Sequence, residues 1–149
     1  MRLEEEIVQQ KFDSEYHKIA VNIFYTSNWL ADLHTEILRP FNLTIQQFNI
    51  LRILRGQYPN IVNLKLIKER MLDKMSDVSR LIERLREKGL LERKTCISDR
   101  RHIDVIITKK GLDLLKGLDS EIKKVNGLLT SLSETEIKTL NSLLDKLRG

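Results

Sequence analysis

The chain has 149 residues, of which 41% are apolar and 32% charged, and it contains only 6 Gly and 2 Pro. This composition predicts one helix-rich domain with a real core and excludes a disordered or collagen-like chain. No apolar run approaches the ~20 residues of a bilayer span and the N-terminus lacks a signal-peptide pattern, so we expect a cytoplasmic protein without a membrane partner.

The first long helix is predicted over Phe12–Arg39, after a loose start or an early helical turn, because its apolar residues recur with a 3.6-residue period. Pro40 should end this helix, since the residue before a proline avoids the α region. Aromatic residues at helical spacing are either plain core or the lining of a small-molecule pocket. The residues open to both interpretations are Tyr25, Trp29, His34, Phe41 and Phe48.

Capping patterns predict the next elements. Thr44-x-x-Gln47 is a capping box that starts a helix, and Gly56 should close it. After a turn, the run Ile61–Val62 is suited to add one short strand to a small sheet. A short helix capped by its own first residue then follows over Asn63–Met71.

The central stretch continues with a helix, a stop and two strand-like runs. The helix is predicted over Ser76–Lys88, and Gly89 stops it. The two runs are Leu90–Cys96 and His102–Thr108, separated by the polar tip Ile97–Arg101. Helix, turn, helix and hairpin in this order form a winged helix-turn-helix. Such a unit offers one helix to a DNA major groove and a hairpin to the flanking backbone or minor groove.

The excess positive charge lies in this same stretch. Between Lys65 and Arg101 there are 12 Lys or Arg and 7 Asp or Glu, a net charge of +5, which equals the +5 of the whole chain. The rest of the chain is therefore neutral. A solvated helix surface with spare lysines is the alternative interpretation, but a basic patch on a predicted DNA reader indicates a phosphate-binding surface.

Polar residues around the second of these helices are the candidate DNA contacts. Small hydroxyls near a helix N-terminus, followed by arginines, suit phosphate and base-edge contacts. Alternatively, Ser76 or Asp73 caps the helix, and for Ser76 both roles are compatible. The candidate DNA-binding residues of the turn and helix are Lys74, Ser76, Asp77, Ser79, Arg80 and Arg84.

Two further helices are predicted at the C-terminal end. The first runs over Thr108–Leu132, and from Leu115 onward apolar residues repeat every three or four positions, a heptad-like seam typical of helix-on-helix association. Ser133-x-x-Glu136 is a capping box that starts the last helix, whose apolar side extends to Leu147. These apolar surfaces exceed what a small monomer tolerates exposed, so we expect a two-fold homodimer.

Three runs of residues carry a resemblance to a known family: VSRLIERLREKGLLER at 78–93, DRR at 99–101 and ITKKG at 107–111. The chain resembles the MarR family of bacterial and archaeal transcription regulators. The resemblance implies a mostly α fold with a small β-hairpin wing (α+β), in a single domain that spans 1–149. Residues 44–108 would form the DNA-binding part, and the helices of 12–39 and 112–149 would form the homodimer.

The same resemblance implies a sequence-specific regulator that binds a pseudo-palindromic double-stranded operator, acts as a repressor and leaves DNA when a small-molecule effector binds. The helix over Ser76–Lys88 would enter the major groove, and a wing arginine would reach the minor groove. We expect Arg101 in the minor groove, Arg100 at a phosphate and Asp99 paired with one of them, although the two arginines could exchange roles. The effector pocket would be lined by Tyr25, Trp29, His34 and Phe48.

No catalytic, metal or cofactor site is predicted. The single cysteine, Cys96, cannot form an internal disulfide, which fits a reducing cytoplasm, and it has no obvious activating partner. His17, His34 and His102 lack metal-ligand spacing. No phosphate-cradling glycine loop or nucleophile elbow occurs, so we expect no enzymatic activity. The alternative function is a protein-interaction module on a winged-helix scaffold without DNA binding.

Overall fold

The structure, a computed structural model, describes residues 2–95 and 103–149. It is mostly helical with one three-stranded antiparallel sheet, which confirms the predicted fold class. The chain divides into two compact units, Met1–Ile45 and Gln46–Gly149. Of the helices described, none is long and apolar enough to cross a bilayer.

The first unit contains two helices and a 3-10 turn, with the bounds α1 Leu3–Glu6, α2 Glu15–Leu38 and Arg39–Phe41. The predicted start of the long helix at Phe12 is wrong, because Ser14 is the N-cap and its hydroxyl accepts the N–H of His17 at 3.1 Å. Pro40 does not directly follow the α-helix but lies inside the 3-10 turn, where a missing N–H costs nothing. The turn ends at Asn42, which has a φ of 52°.

Two side-chain hydrogen bonds hold α1 against α2. Lys18 Nζ donates to Glu4 Oε1 at 2.6 Å, and the Tyr25 hydroxyl donates to Glu6 Oε2 at 2.7 Å. The first of these bonds lowers the pKa of Glu4, and the second raises the pKa of Tyr25. A helix of 4 residues is unstable alone, so these contacts explain the early helical turn at the start of the chain.

The second unit begins with α3 Ile45–Gln57, whose first residue belongs to the first unit, and continues with β1 Val62–Asn63, α4 Leu64–Arg70 and α5 Val78–Glu87. Gly56 does not close α3 but lies inside it, because glycine weakens a helix by only ~1 kcal/mol and the apolar side of α3 is buried. The predicted Asn63 cap is confirmed: its Oδ1 accepts the Leu66 N–H at 2.8 Å. α5 begins two residues later than predicted, after Asp77.

The sheet has the strand order β1-β3-β2, with β2 at Leu91–Thr95 and β3 at Ile103–Ile107. Both pairings are antiparallel, with Leu91 opposite Ile107 and Val62 opposite Val105. The hairpin and the third strand are thus confirmed, although β1 begins one residue later than predicted and Leu90 and Thr108 fall outside the strands. The predicted strand ends at Cys96 and His102, and the tip between them, lie outside the described residues.

The last two helices are α6 Lys109–Leu128 and α7 Glu134–Arg148. α6 ends before the predicted Leu132, because a 3-10 turn follows at Leu129–Ser131. The Ser133 capping box of α7 is confirmed, with the Ser133 N–H donating to Glu136 Oε2 at 2.8 Å. The predicted seam is divided: Leu115 and Leu118 at its start are fully buried, whereas its last two leucines are exposed.

The core of the second unit is formed by aliphatic side chains from α3, α4, α5, α6 and the sheet. Each fully buried Leu, Ile or Val side chain contributes about 1.5–3 kcal/mol relative to exposure, so this core fixes the positions of the helix-turn-helix elements. Its most buried members are Ile50, Leu51, Leu54, Val62, Ile67, Met71, Leu85, Leu91, Val105, Leu115 and Leu118.

The start of α6 lies directly against the residues that follow α5. The Thr108 N–H donates to the Leu90 carbonyl at 3.1 Å, and the Thr108 hydroxyl donates to the Gly89 carbonyl at 2.8 Å. A Cβ added at Gly111 would lie 2.4 Å from the Leu90 carbonyl oxygen and 2.7 Å from Ile107 Cγ1. Only glycine fits this contact, so position 111 is constrained by packing.

We predict that Gly111→Ala lowers the free energy of unfolding by about 1–3 kcal/mol, because the added methyl group must displace backbone. Urea unfolding followed by circular dichroism measures this change. The control is Gly56→Ala, since a Cβ at Gly56 meets nothing within 4 Å and should stabilise α3 by up to ~1 kcal/mol. Equal effects of the two substitutions would contradict the close approach at Gly111.

Candidate nucleic-acid interface

Two carboxylates with different partners set the start of α5. Asp77 is the N-cap, and its Oδ1 accepts the Arg80 N–H at 3.1 Å. Asp73 holds the preceding turn: its Oδ1 accepts the Met75 N–H at 3.0 Å and its Oδ2 accepts the Ser76 hydroxyl at 2.9 Å. The interpretation that Ser76 or Asp73 caps α5 is therefore wrong, because Asp77 is the residue that precedes the first helical turn.

Hydrogen bonds also determine the ionisation of Asp73. The Met75 N–H lowers the pKa of Asp73 most, followed by the Ser76 hydroxyl, and the Gln46 side chain adds to the effect; these outweigh the desolvation that raises it. Asp73 is therefore ionised at neutral pH and can only accept hydrogen bonds.

One exposed face of α5 carries charges that neutralise each other. Glu83 Oε1 accepts Arg86 Nε at 2.9 Å, and its Oε2 lies 3.6 Å from Arg93 Nη1 on β2. The contact with Arg86 lowers the pKa of Glu83. Exposed pairs of this kind contribute only ~0.3–0.5 kcal/mol each to stability, but they keep both guanidinium groups occupied.

The other exposed face carries Arg80 and Arg84. Four residues apart on a helix, their side chains lie on the same side. Neither guanidinium has a carboxylate partner among residues 2–95 and 103–149, in contrast to Arg86. An exposed guanidinium without a carboxylate partner is available for a phosphate oxygen or for the O6 and N7 atoms of guanine.

Most of the predicted contacts of the helix-turn-helix meet around one surface depression of about 290 Å³. Its lining residues are Gln46, Asp73, Ser76, Asp77, Arg80, Leu81 and Arg84. Lys74 and Ser79 are not part of this lining: Lys74 Nζ donates to the Glu69 carbonyl at 2.6 Å, and Ser79 is exposed elsewhere on α5.

Sequence reasoning missed Gln46 and the role of Asp73 in this surface. Gln46 belongs to α3, so only the tertiary fold places it beside α5. For Asp73 a local signal existed, because an aspartate three residues before a serine can form a side-chain bond across a turn. The sequence pattern was interpreted as a helix cap formed by Asp73 or Ser76, whereas the residue that caps α5 in the structure is Asp77.

The hairpin is described only up to its last paired residues. β2 and β3 remain in antiparallel register as far as the pair Thr95 and Ile103. The predicted wing contacts Asp99, Arg100 and Arg101 lie outside the described residues, as do Cys96 and His102. In the described parts of the chain, no group of three or more His, Cys, Asp or Glu side chains is placed to hold a metal ion.

Two of the four predicted effector-pocket residues line a cavity of about 550 Å³ in the first unit. Tyr25 and Trp29 contribute the aromatic surface, and the other lining residues are Leu3, Glu6, Asn22 and Thr26. His34 and Phe48 are not in this lining. His34 Nδ1 lies 2.8 Å from the Leu30 carbonyl, and Phe48 is a buried residue of α3.

A family model and a solved structure both indicate the family to which this chain belongs. The family model described as the MarR family matches residues 43–103. A MarR transcription factor from Planctomyces limnophilus is 31% identical, with 91% of this chain and 98% of that chain aligned and a TM-score of 0.71. The chain belongs to the MarR family. It is therefore a DNA-binding transcription regulator of the winged helix-turn-helix type.

More distant MarR structures share the fold. A mutant MarR from E. coli complexed with operator DNA is 23% identical, covers 93% of this chain and 99% of its own, and has a TM-score of 0.79. Bordetella bronchiseptica BpsR, studied for regulation of its DNA binding by 6-hydroxynicotinic acid, is 21% identical, covers 89% and 99%, and has a TM-score of 0.78.

We predict that Arg80→Ala and Arg84→Ala each weaken binding to duplex DNA. Each should make the slope of log affinity against log salt shallower by roughly one unit for every phosphate that the variant no longer neutralises. Fluorescence anisotropy with a labelled duplex at several salt concentrations measures both quantities.

The matched control is Arg86→Ala, which removes the same charge from the same helix but from a guanidinium already bound to Glu83. We expect a clearly smaller change in slope for this variant. If all three substitutions change the slope equally, the DNA contact is not confined to the face of Arg80 and Arg84.

Proposed function

We propose that this MarR-family chain is a homodimeric repressor that reads a pseudo-palindromic operator with α5 in the major groove and the hairpin wing beside it. The observation that carries the proposal is the divided charge of α5, where Arg80 and Arg84 have no carboxylate partner among the described residues and Arg86 is paired. Unpaired guanidinium groups on one face of a helix suit phosphate oxygens and guanine edges. As a repressor it would act in the cytoplasm and need no enzymatic activity.

The proposed contacts follow from this placement. Ser76, Asp77, Ser79 and Arg80 are nearest to base edges and adjoining phosphates, while Arg84 and Lys74 approach the phosphates. Arg101 would enter the minor groove and Arg100 would contact a phosphate, with Asp99 paired to one of them. The E. coli MarR solved with operator DNA has the same fold and supports this arrangement.

Exposed apolar surface supports the homodimer. None of the 15 residues of α7, all of them described, is buried, yet its leucines share one side of the helix. Leu140, Leu143 and Leu147 are 46%, 58% and 60% exposed. In the first unit, α2 similarly exposes Ile19 and Phe24. Exposed apolar side chains grouped on one side of a helix are typical of an interaction surface, and a second copy of the chain is the partner that a two-fold interface supplies.

We predict that Leu140→Glu shifts the protein from dimer to monomer, because a buried, unpaired carboxylate in the interface is costly. Sedimentation velocity at micromolar concentration measures the shift. The control is Ser142→Glu, which adds the same charge on the opposite side of α7. A wild-type chain that sediments as a folded monomer would refute the homodimer.

The operator follows from the two-fold symmetry. Two α5 helices related by one axis must meet the major groove on the same side of the duplex, so half-site centres should lie about one helical turn apart, ~10–10.5 bp. Selection of bound sequences from a random DNA pool tests this prediction. An asymmetric site shorter than one turn would contradict it.

A small-molecule effector is the proposed release signal, bound at the cavity of Tyr25 and Trp29. The cavity combines aromatic surface with the polar groups of Glu6, Asn22 and Thr26, which suits a small aromatic compound with hydrogen-bonding substituents. BpsR, whose DNA binding is regulated by such a compound, supports this class of ligand.

We predict that a phenolic compound that binds this cavity quenches the fluorescence of Trp29, the single tryptophan of the chain, and raises the melting temperature. Asn22→Leu should fill the cavity and reduce the affinity at least about tenfold, which corresponds to ~1.4 kcal/mol. Asn28→Leu is the control, because Asn28 lies on the same helix outside the lining. An equal reduction in both variants would place the ligand elsewhere.

A further inference from the structure

The turn before α5 fixes the direction of one hydrogen bond at the DNA-facing surface. The Ser76 hydroxyl lies 2.9 Å from Asp73 Oδ2, and the Ser76 N–H donates to the Asp73 backbone carbonyl at 3.3 Å. Asp73 Oδ1 is occupied by the Met75 N–H at 3.0 Å. The serine is thus held through both its backbone and its hydroxyl against one aspartate.

Only one of the two groups, the Ser76 hydroxyl and the Asp73 carboxylate, can be the donor in this hydrogen bond. An ionised carboxylate has no proton to donate, so Ser76 must be the donor and Asp73 the acceptor. A hydroxyl has one proton and two lone pairs. With its proton committed to Asp73, Ser76 has only acceptor capacity left for a group that enters the depression it lines with Arg80 and Arg84.

We propose that Asp73 is a specificity-determining residue that acts through Ser76, by making its hydroxyl an obligate acceptor that selects adenine or cytosine over guanine or thymine. The proposal rests on the proposed placement of the α5 N-terminus at base edges. In the major groove, adenine N6 and cytosine N4 present amino donors, whereas guanine N7 and O6 and thymine O4 present acceptors. A serine oxygen that can only accept forms a hydrogen bond with the amino group of adenine or cytosine. Against guanine or thymine it places its lone pairs next to other lone pairs, which is unfavourable.

A purely structural role for Asp73 predicts something different. The helix cap is Asp77, so Asp73 does not cap α5 but holds the turn before it. Asn at position 73 would keep its carbonyl oxygen on the Met75 N–H, because an NH₂ group cannot accept that bond. The amide NH₂ would then donate to the Ser76 oxygen and release the serine proton outward. Asp73→Asn therefore keeps the bonds to Met75 and Ser76 but reverses the polarity that Ser76 offers to a base.

The experiment selects operators from a random DNA pool with the full-length wild type, Asp73→Asn, Ser76→Ala and the double variant. For the wild type we expect one position in each half-site to favour adenine or cytosine, by about 5- to 150-fold, the range for one base contact. Asp73→Asn should switch that position to guanine or thymine and leave the other positions unchanged. Ser76→Ala and the double variant should both lose the preference there.

Glu69→Gln is the matched control, because it removes one negative charge from α4, just before the turn, at an exposed carboxylate whose ion-pair partner is Lys65 at 4.0 Å. It should change affinity for all sequences alike and leave every base preference in place. If Asp73→Asn behaves in the same way as this control, charge alone is at work and the proposal is overturned.

The remaining outcomes are also decisive. If the wild type selects an operator and Asp73→Asn retains the same preference at every position, the proposal fails while the proposed function stands. If the wild type selects no common sequence, the proposed function itself fails. Should Asp73→Asn not fold, Ser76→Thr and Ser76→Ala decide: the threonine hydroxyl should retain the adenine or cytosine preference, and retention by alanine would overturn the proposal.

Discussion

The winged domain depends on one close contact, where the first turn of α6 lies against the residues that link α5 to β2. Thr108 bonds to the carbonyls of Gly89 and Leu90, and Gly111 lies so close to the Leu90 carbonyl that no other side chain fits. Gly89, with a φ of 70°, lets the chain leave α5 and enter the hairpin within a few residues. The end of α5, the start of β2 and the first turn of α6 are therefore held together at a single junction.

On the exposed side of α5, the arginines differ in whether a carboxylate neutralises them. Glu83 occupies Arg86 and faces Arg93, so these cations belong to the scaffold between helix and sheet. Arg80 and Arg84 have no carboxylate partner within the described parts of the chain. A count of basic residues along the sequence treats all four alike. In the proposed DNA contact the pairing matters more than it does for stability, because exposed ion pairs add little to folding, whereas a guanidinium already bound to a carboxylate is less available to a phosphate.

The apolar side chains of the two C-terminal helices differ in their exposure. Leu115 and Leu118 of α6 are completely buried, whereas α7 leaves its leucine side exposed. α7 is well capped by Ser133 and has basic residues in its last turn, so it can form locally. What it lacks is a packing partner, and this is the physical reason for inferring a second subunit in the proposed dimer.

Local chemistry in the sequence was sufficient to determine the elements and their order. Caps at Asn63 and Ser133 involve residues three positions apart, and the hairpin follows from alternation around a polar tip, so both could be predicted correctly. The start of α5 was predicted wrongly because several residues that can cap a helix, among them Ser76 and Asp77, lie next to each other. Only the tertiary structure decided that Glu83 also faces Arg93 on β2, that the first leucines of the α6 seam are buried whereas its last two are exposed, and that Gln46 lies beside Asp73. Those outcomes depend on distances between side chains far apart in the sequence, which hydrophobic periodicity and capping patterns do not encode.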